Sequence, residues 1–371
     1  AEDGIRDVER SRGLGDVYKR QKMSTTQNYR GYVTKKISLG VILFCLLVLS
    51  CIYAISIGSF SLSPGEVVQA LLGGSSKAHL VLWNIRLPRI VTAMVVGAGL
   101  AVSGAVMQCI LRNPLASPFT LGISHGAVFG ASLAIGFLGV GGSESTGRIF
   151  INNPYAVVIF AFSGSFLGML VILTLAKFKG LSPGAVILAG VAMGSLFTAA
   201  TTLIQYFATE EELATMVYWS FGDLGRCVWK EIWIIVAVFF PSFAYFFLKR
   251  WDYNGIESGD ETAKSLGINT ERIRLVGALL ASLVTATSVS LVGVIGFVGL
   301  ISPHMIRLLI GGDHRFLIPI STLFGAFLLV VSDTLARTIL APTLLPVGVL
   351  TSFMGAPVFI YLLVKMKGRI Y

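Results

Sequence analysis

Residues 37–57 read ISLGVILFCLLVLSCIYAISI, with no charged side chain among them. A helix of that length reaches about 30 Å, the thickness of the hydrocarbon core of a bilayer. Nine further apolar runs follow, at 91–111, 120–140, 155–175, 185–207, 232–248, 273–292, 296–310, 316–335 and 347–364. They predict an all-α, polytopic membrane protein with about ten transmembrane helices. The eighth run is short, and Gly293, Gly296 and Gly299 precede or interrupt it. It is expected to begin as a broken or re-entrant segment, which is tolerated only where protein covers the backbone.

Composition agrees. Of the 371 residues, 54% are apolar and 13% charged, and the mean hydropathy is +0.79. Soluble domains carry about a quarter charged residues. That excludes a soluble enzyme, a disordered regulator and a disulfide-stapled secreted domain. The net charge of +10 is explained by Lys and Arg gathering in cytoplasmic loops, not by nucleic acid. The four cysteines show no CxxC spacing, so neither a disulfide framework nor a metal site is implied.

Residues 1–22 hold six basic and five acidic side chains and no apolar run. They differ from everything that follows and read as a non-native or disordered leader, with Met23 as the natural start. Residues 23–36 then form a cytoplasmic N-terminal segment, and 37–367 the ten-helix domain. With the amino terminus inside, the inner loops from Met23 onward carry sixteen Lys and Arg, among them Arg112, Arg274 and Arg307. The outer segments carry seven: Lys77, Arg86, Arg89, Arg148, Arg226, Lys230 and Arg337. The imbalance places both termini in the cytoplasm.

Small residues recur at four-residue spacing, as in Ala93/Gly97/Ala101/Ala105, Gly164/Gly168 and Gly190/Gly194, which lets helix backbones approach closely. Two loops exceed what connection requires. One is outer, at 208–231, with the acidic run Glu210–Glu212 and room for a short helix. The other is inner, at 249–272, polar and long enough for one or two short helices.

Bond-making chemistry is missing from the sequence. There is no G-x-x-x-x-G-K-[ST] phosphate cradle, no HExxH and no G-x-S-x-G. The four histidines are scattered, and no cofactor is implied. Asp333, four residues before Arg337, is the main ionisable residue deep in a run, and the spacing allows an intrahelical ion pair. The chain reads as a conduit driven from elsewhere. An ion-coupled secondary transporter is the competing class, supported by Asp333 and the interrupted eighth run.

An ordered series of short motifs runs along the chain: Arg86-Leu87-Pro88-Arg89, Gly104-Ala105-Val106-Met107-Gln108, Asn113-Pro114-Leu115-Ala116-Ser117-Pro118, Leu188-Ala189-Gly190, Gly296-Phe297-Val298-Gly299-Leu300 with Pro303-His304, Leu345-Pro346-Val347-Gly348 and Gly355-Ala356-Pro357. The series resembles the FecCD-type permeases, membrane subunits of ATP-binding-cassette importers for iron-siderophores, haem and cobalamin. The resemblance covers 37–367 and implies a bundle like that of the cobalamin-importer permeases. It also implies pairing with a second permease subunit, two ATPase subunits docked inside and a substrate-binding protein docked outside. The cargo it implies is a ferric siderophore, with haem or cobalamin as alternatives.

Residue roles follow from the same resemblance. Arg86, Arg89 and Arg337 are expected to meet carboxylates of the binding protein, a task suited to the planar guanidinium fork; headgroup anchoring is the competing reading. Asn113 and Leu115, with Ser182 of the 181–184 loop, are expected to form a cytoplasmic gate. In the inner loop, Glu261, Ala263, Leu266 and Gly267 match an E-x-A-x-x-x-G coupling motif. A short helix there would present Ala263 and a leucine to the ATPase, and Gly267 would end it.

Overall fold

The computed structural model describes residues 2–57, 64–74, 76–143 and 149–365. Of the charges counted above, Arg148, Lys367 and Arg369 lie outside the described residues, as does the end of the 37–367 domain. Helix α1 (Glu2–Ser56) contains the first span, Tyr29–Ser56, and α2 (Pro64–Leu71) follows. Helix α3 (Ser76–Val81) continues through a π-helical turn at Leu82–Arg86 into α4 (Leu87–Ile110). After α5 (Ile123–Leu138), a hairpin of β1 (Gly141–Ser143) and β2 (Ile149–Ile151) pairs antiparallel, with Gly141 opposite Ile151. Then come α6 (Pro154–Lys177), α7 (Pro183–Phe207), α8 (Glu210–Ser220), α9 (Trp229–Leu248), α10 (Arg250–Glu257) and α11 (Asp260–Ser265). The chain closes with α12 (Thr270–Val292), α13 (Val298–Ile310), α14 (His314–Thr338) and α15 (Val347–Lys365).

Seven of these helices are long and apolar enough to cross a membrane; α5, α13 and the apolar part of α15 are shorter. Together they coincide with the ten apolar runs. Their ends are set by local chemistry. Asn153 accepts from the Ala156 amide with Pro154 at the first helical position, Thr209 and Glu212 form a capping box, and Asn269 accepts from the Arg272 amide. Both long loops contain the expected short helices, α8 in one and α10 and α11 in the other.

Helix α4 is the axis of the bundle, packed by α14, α12, α13 and α9, whereas α5, α6 and α7 form a second group joined through α6 to α12. Small residues make the first group possible. A Cβ on Gly104 would lie 1.6 Å from the carbonyl oxygen of Gly299, and one on Gly97 would lie 2.4 Å from that of Gly325. In the second group, Gly126 and Gly164 meet in the same way. By contrast α1 and α7 leave large apolar side chains on their outer faces, such as Leu49, Ile52, Leu188 and Leu203, as helices facing lipid do.

The interrupted eighth span has a clear physical basis. Helix α12 stops at Val292, Gly293 takes φ +80°, and α13 starts only after Phe297 at φ +65°. Two other non-helical segments pack against the break: a Cβ on Gly222 would lie 2.6 Å, and one on Gly348 2.3 Å, from the Val294 carbonyl oxygen. Phe221 bridges Val294, the Asp223 amide donates to Val292, and the Val347 amide donates to Gly222. Three irregular stretches from distant parts of the chain thus satisfy one another where water would be scarce.

Candidate functional site

The bundle has a loop end, which carries α10 and α11, and an opposite end, which carries the three singled-out arginines. Two adjoining cavities lie between.

At the arginine end, Asp333 on α14 is buried, and two guanidiniums hold it. Arg89 Nε donates to its two oxygens at 2.9 and 3.1 Å, and Arg337 Nε donates at 3.1 Å. Arg89 also lies 3.4 Å from Asp223, and Arg337 donates to the carbonyls of Ile57 and Ala54 at the end of α1. Arg86, itself buried, donates to the Ile55 carbonyl. The sequence suggested the Arg337–Asp333 pair. The second arginine on that carboxylate, 244 positions away, carried no local signal. The three arginines therefore share one cluster and already have partners within the chain.

At the loop end, Asn113 Oδ1 accepts from the Leu115 amide at 2.9 Å, which shapes a tight turn directly after α4, with Leu115 exposed. Ser182 sits just before α7, half-buried, and its hydroxyl does not cap that helix. Among the described residues no hydrogen bond joins Ser182 to the Asn113–Leu115 turn. The E-x-A-x-x-x-G segment folds as expected in one respect. Gly267, at φ +78°, ends α11, and the Ile268 and Gly267 amides donate back to Ala263 and Lys264. Ala263, however, is not presented to a partner. It is fully buried in the chain's own core, while Leu266, the residue at which the helix ends, is left outside. Glu261 and Leu266 face out, Leu266 at 66% exposure.

The helix pair α10–α11 is fastened to the bundle by charge. Asp260 accepts two hydrogen bonds from Arg274 of α12, at 3.0 and 2.6 Å, and one from Arg112 beyond the end of α4. The Arg274 guanidinium beside it holds the Asp260 carboxyl below the usual carboxylate range. Glu257 pairs with Arg307 of α13, and Asn254 donates to Asp313 at the start of α14.

The two cavities share Phe119, Ser220 and Val294. One, of about 540 Å³, is walled by aromatics such as Phe221, Phe297 and Phe353; the other, of about 310 Å³, is faced by Thr198, Thr201, Thr202, Gln205 and His125. Among the described residues no Lys, Arg, Asp or Glu lines either one. The threonines donate to carbonyls one turn back, Thr198 to Gly194 and Thr202 to Thr198, so oxygen lone pairs remain as acceptors. The sequence reading missed this lining. Its only trace was the hydroxyl cluster Thr198, Thr201 and Thr202 in an otherwise apolar run.

A helical bundle with a broken span and uncharged internal cavities belongs to the class of polytopic membrane transport proteins. The FecCD transport family matches residues 46–365, and the chain belongs to that family. It is 63% identical over 349 residues to a protein of Methanocaldococcus jannaschii assigned as an ABC transporter permease; the match covers 94% of this chain and all of that protein. It is 37% identical over 338 residues to the hemin transport system permease protein of Yersinia pestis, covering 91% of this chain and 98% of the relative. Among solved structures it resembles an inward-facing transporter assigned to the metal-chelate ABC type. The TM-score is 0.76 at 33% identity, over 88% of this chain and 99% of that one.

Proposed function

We propose that this chain is the permease subunit of an ATP-binding-cassette importer, carrying a ferric siderophore or a related metal chelate such as haem or cobalamin across the cytoplasmic membrane. The carrying observation is the family match along 46–365. The cavities suit such cargo: an aromatic wall faces a hydroxyl wall with no fixed charge, so a bulky chelate can pass without being held by a strong ion pair. The chain itself makes and breaks no bond. Its task is alternating access, in which partners bias which end of the path is open.

The loop end lies in the cytoplasm in this reading, with both termini, in keeping with the Lys and Arg imbalance. There Leu266, Glu261 and the turn at Gly267 meet two ATPase subunits, and Ala263 supports the helix from within. Asn113, Leu115 and Ser182 close the inner mouth. A second permease subunit, identical or related, completes the cavities; Phe353 lines one of them at 75% exposure and awaits a covering surface. At the outer end Arg86, Arg89 and Arg337 outnumber Asp223 and Asp333. That surplus of positive charge supports docking to acidic side chains of a binding protein.

Co-purification from the native membrane tests the assembly. An ATPase subunit retained with the chain in mild detergent is expected, and recovery of the chain alone under several such conditions would contradict it. A triple Arg→Glu variant at 86, 89 and 337 should lose binding-protein affinity in nanodiscs, and acid-to-base changes on the binding protein should partly restore it. Unchanged affinity would remove the docking role.

A further inference from the structure

Helices α4 and α11 end in the same kind of turn, built from different residues. After α11 the left-handed position is Gly267. After α4 it is Arg112, at φ +46°; its amide donates to Cys109, and the next amide, of Asn113, donates to Gln108. Only glycine adopts that conformation without cost, so the backbone alone would be better served by glycine at 112. The arginine side chain there makes long-range contacts. Its Nε donates to the Ile256 carbonyl of α10 at 3.1 Å, and a terminal nitrogen donates to Asp260. Asp260 is held bidentately by Arg274, whose Nε donates to the Ile110 carbonyl, the last residue of α4, at 3.1 Å. One carboxylate therefore joins the first turn of α11, the buried face of α12 and the end of α4. The Asn113–Leu115 turn follows Arg112 directly.

We propose that Arg112, Asp260 and Arg274 form a tie that transmits displacement of α11 to the Asn113–Leu115 turn. Arg112 and Asp260 are then positioning residues for the gate, distinct from the surface that touches the ATPase. The proposal rests on the coupling and gate roles given above. Bidentate charge-assisted bonds fix both distance and orientation, which a loose loop between α10 and α12 could not do. A strained arginine kept where glycine would relax the turn is the mark of a side chain needed for more than folding.

Arg112→Gly separates this role from stability, because it keeps the turn and removes the tie. The assay uses the permease–ATPase complex in nanodiscs, with Leu115→Cys as reporter in a background lacking the exposed Cys45. The readout is the rate of maleimide labelling without nucleotide and after trapping with ATP and vanadate. With Arg112 in place the two rates should differ. Arg112→Gly should shrink that difference by at least about fivefold, the lower end of ordinary allosteric coupling, while ATP hydrolysis and melting temperature are retained. Asp260→Asn should act in the same direction. An undiminished difference in Arg112→Gly would overturn the tie. So would a joint fall in hydrolysis and melting temperature, which marks a merely structural arginine, or a parent reporter that does not respond to ATP. Gly267→Val, run in parallel, tests the underlying reading. If it leaves the ATP response intact, the coupling role of the 261–267 turn fails; if it abolishes the response while Arg112→Gly does not, only the tie fails.

Discussion

Asp333 shows what single residues contribute at the arginine end. A carboxylate buried among helices is tolerable only when paired, and here two guanidiniums pair with it. Asp333→Asn would leave both arginines short of a partner, and breaking a buried pair from one side costs about 3–5 kcal/mol. The detergent-solubilised variant should therefore melt well below the parent; equal melting would show that the cluster is solvated. Asp313 makes a pH-dependent contribution at the loop end. Burial raises its pKa, but hydrogen bonds from Arg315 and Asn254 outweigh that, leaving it at about 2 against an ordinary 3.8. A depressed carboxylate stabilises the fold above its unfolded pKa, and the effect fades as pH falls through the folded value. The melting-temperature gap between the parent and Asp313→Asn should thus be constant above about pH 5 and close as pH falls from about 4 to 2. A gap unchanged down to pH 2 would refute the assignment.

Among the elements, α4 and α13 fit together because Gly104 and Gly299 leave no side chain at their crossing. Gly104→Ala would place a methyl on a carbonyl oxygen, and overpacking of this kind costs about 1–3 kcal/mol. The expected result is lower expression and an earlier thermal transition, whereas Gly184→Ala, where a Cβ would meet nothing within 4 Å, should be neutral. Equal behaviour of the two would contradict the packing. The helices themselves were legible in the sequence, because an apolar run of twenty residues permits little else in a membrane. The broken start of the eighth run was legible for a different reason, its short length and the glycines at 293, 296 and 299. The partners of that break, at 221–223 and 345–348, were not, since pairing between irregular segments leaves no local pattern. Nor was the burial of Ala263. The motif E-x-A-x-x-x-G identifies a short helix and its end, but which face turns inward is set by packing against the rest of the core. The Arg112–Asp260–Arg274 cluster was hidden as well; two of its members had been counted only as inner-loop charge.

At the scale of the whole molecule, the two ends differ in kind, and among the described residues the two adjoining cavities carry no fixed charge. One end concentrates arginines, the loop end carries a fastened helix pair, and the described lining of the cavities between combines hydroxyl, amide and imidazole groups with aromatic and aliphatic ones. That arrangement fits a conduit whose direction and energy come from partners. It does not fit a carrier driven by ions through its own acidic residues, for Asp333 is committed to two arginines. The most direct test is uptake into proteoliposomes that contain the chain with its co-purified ATPase and binding protein. Haemin and a ferric siderophore are offered outside, with ATP trapped inside and a protonophore and sodium ionophore present. Accumulation that requires internal ATP and survives both ionophores is the predicted result. Accumulation without ATP, abolished by either ionophore, would contradict it.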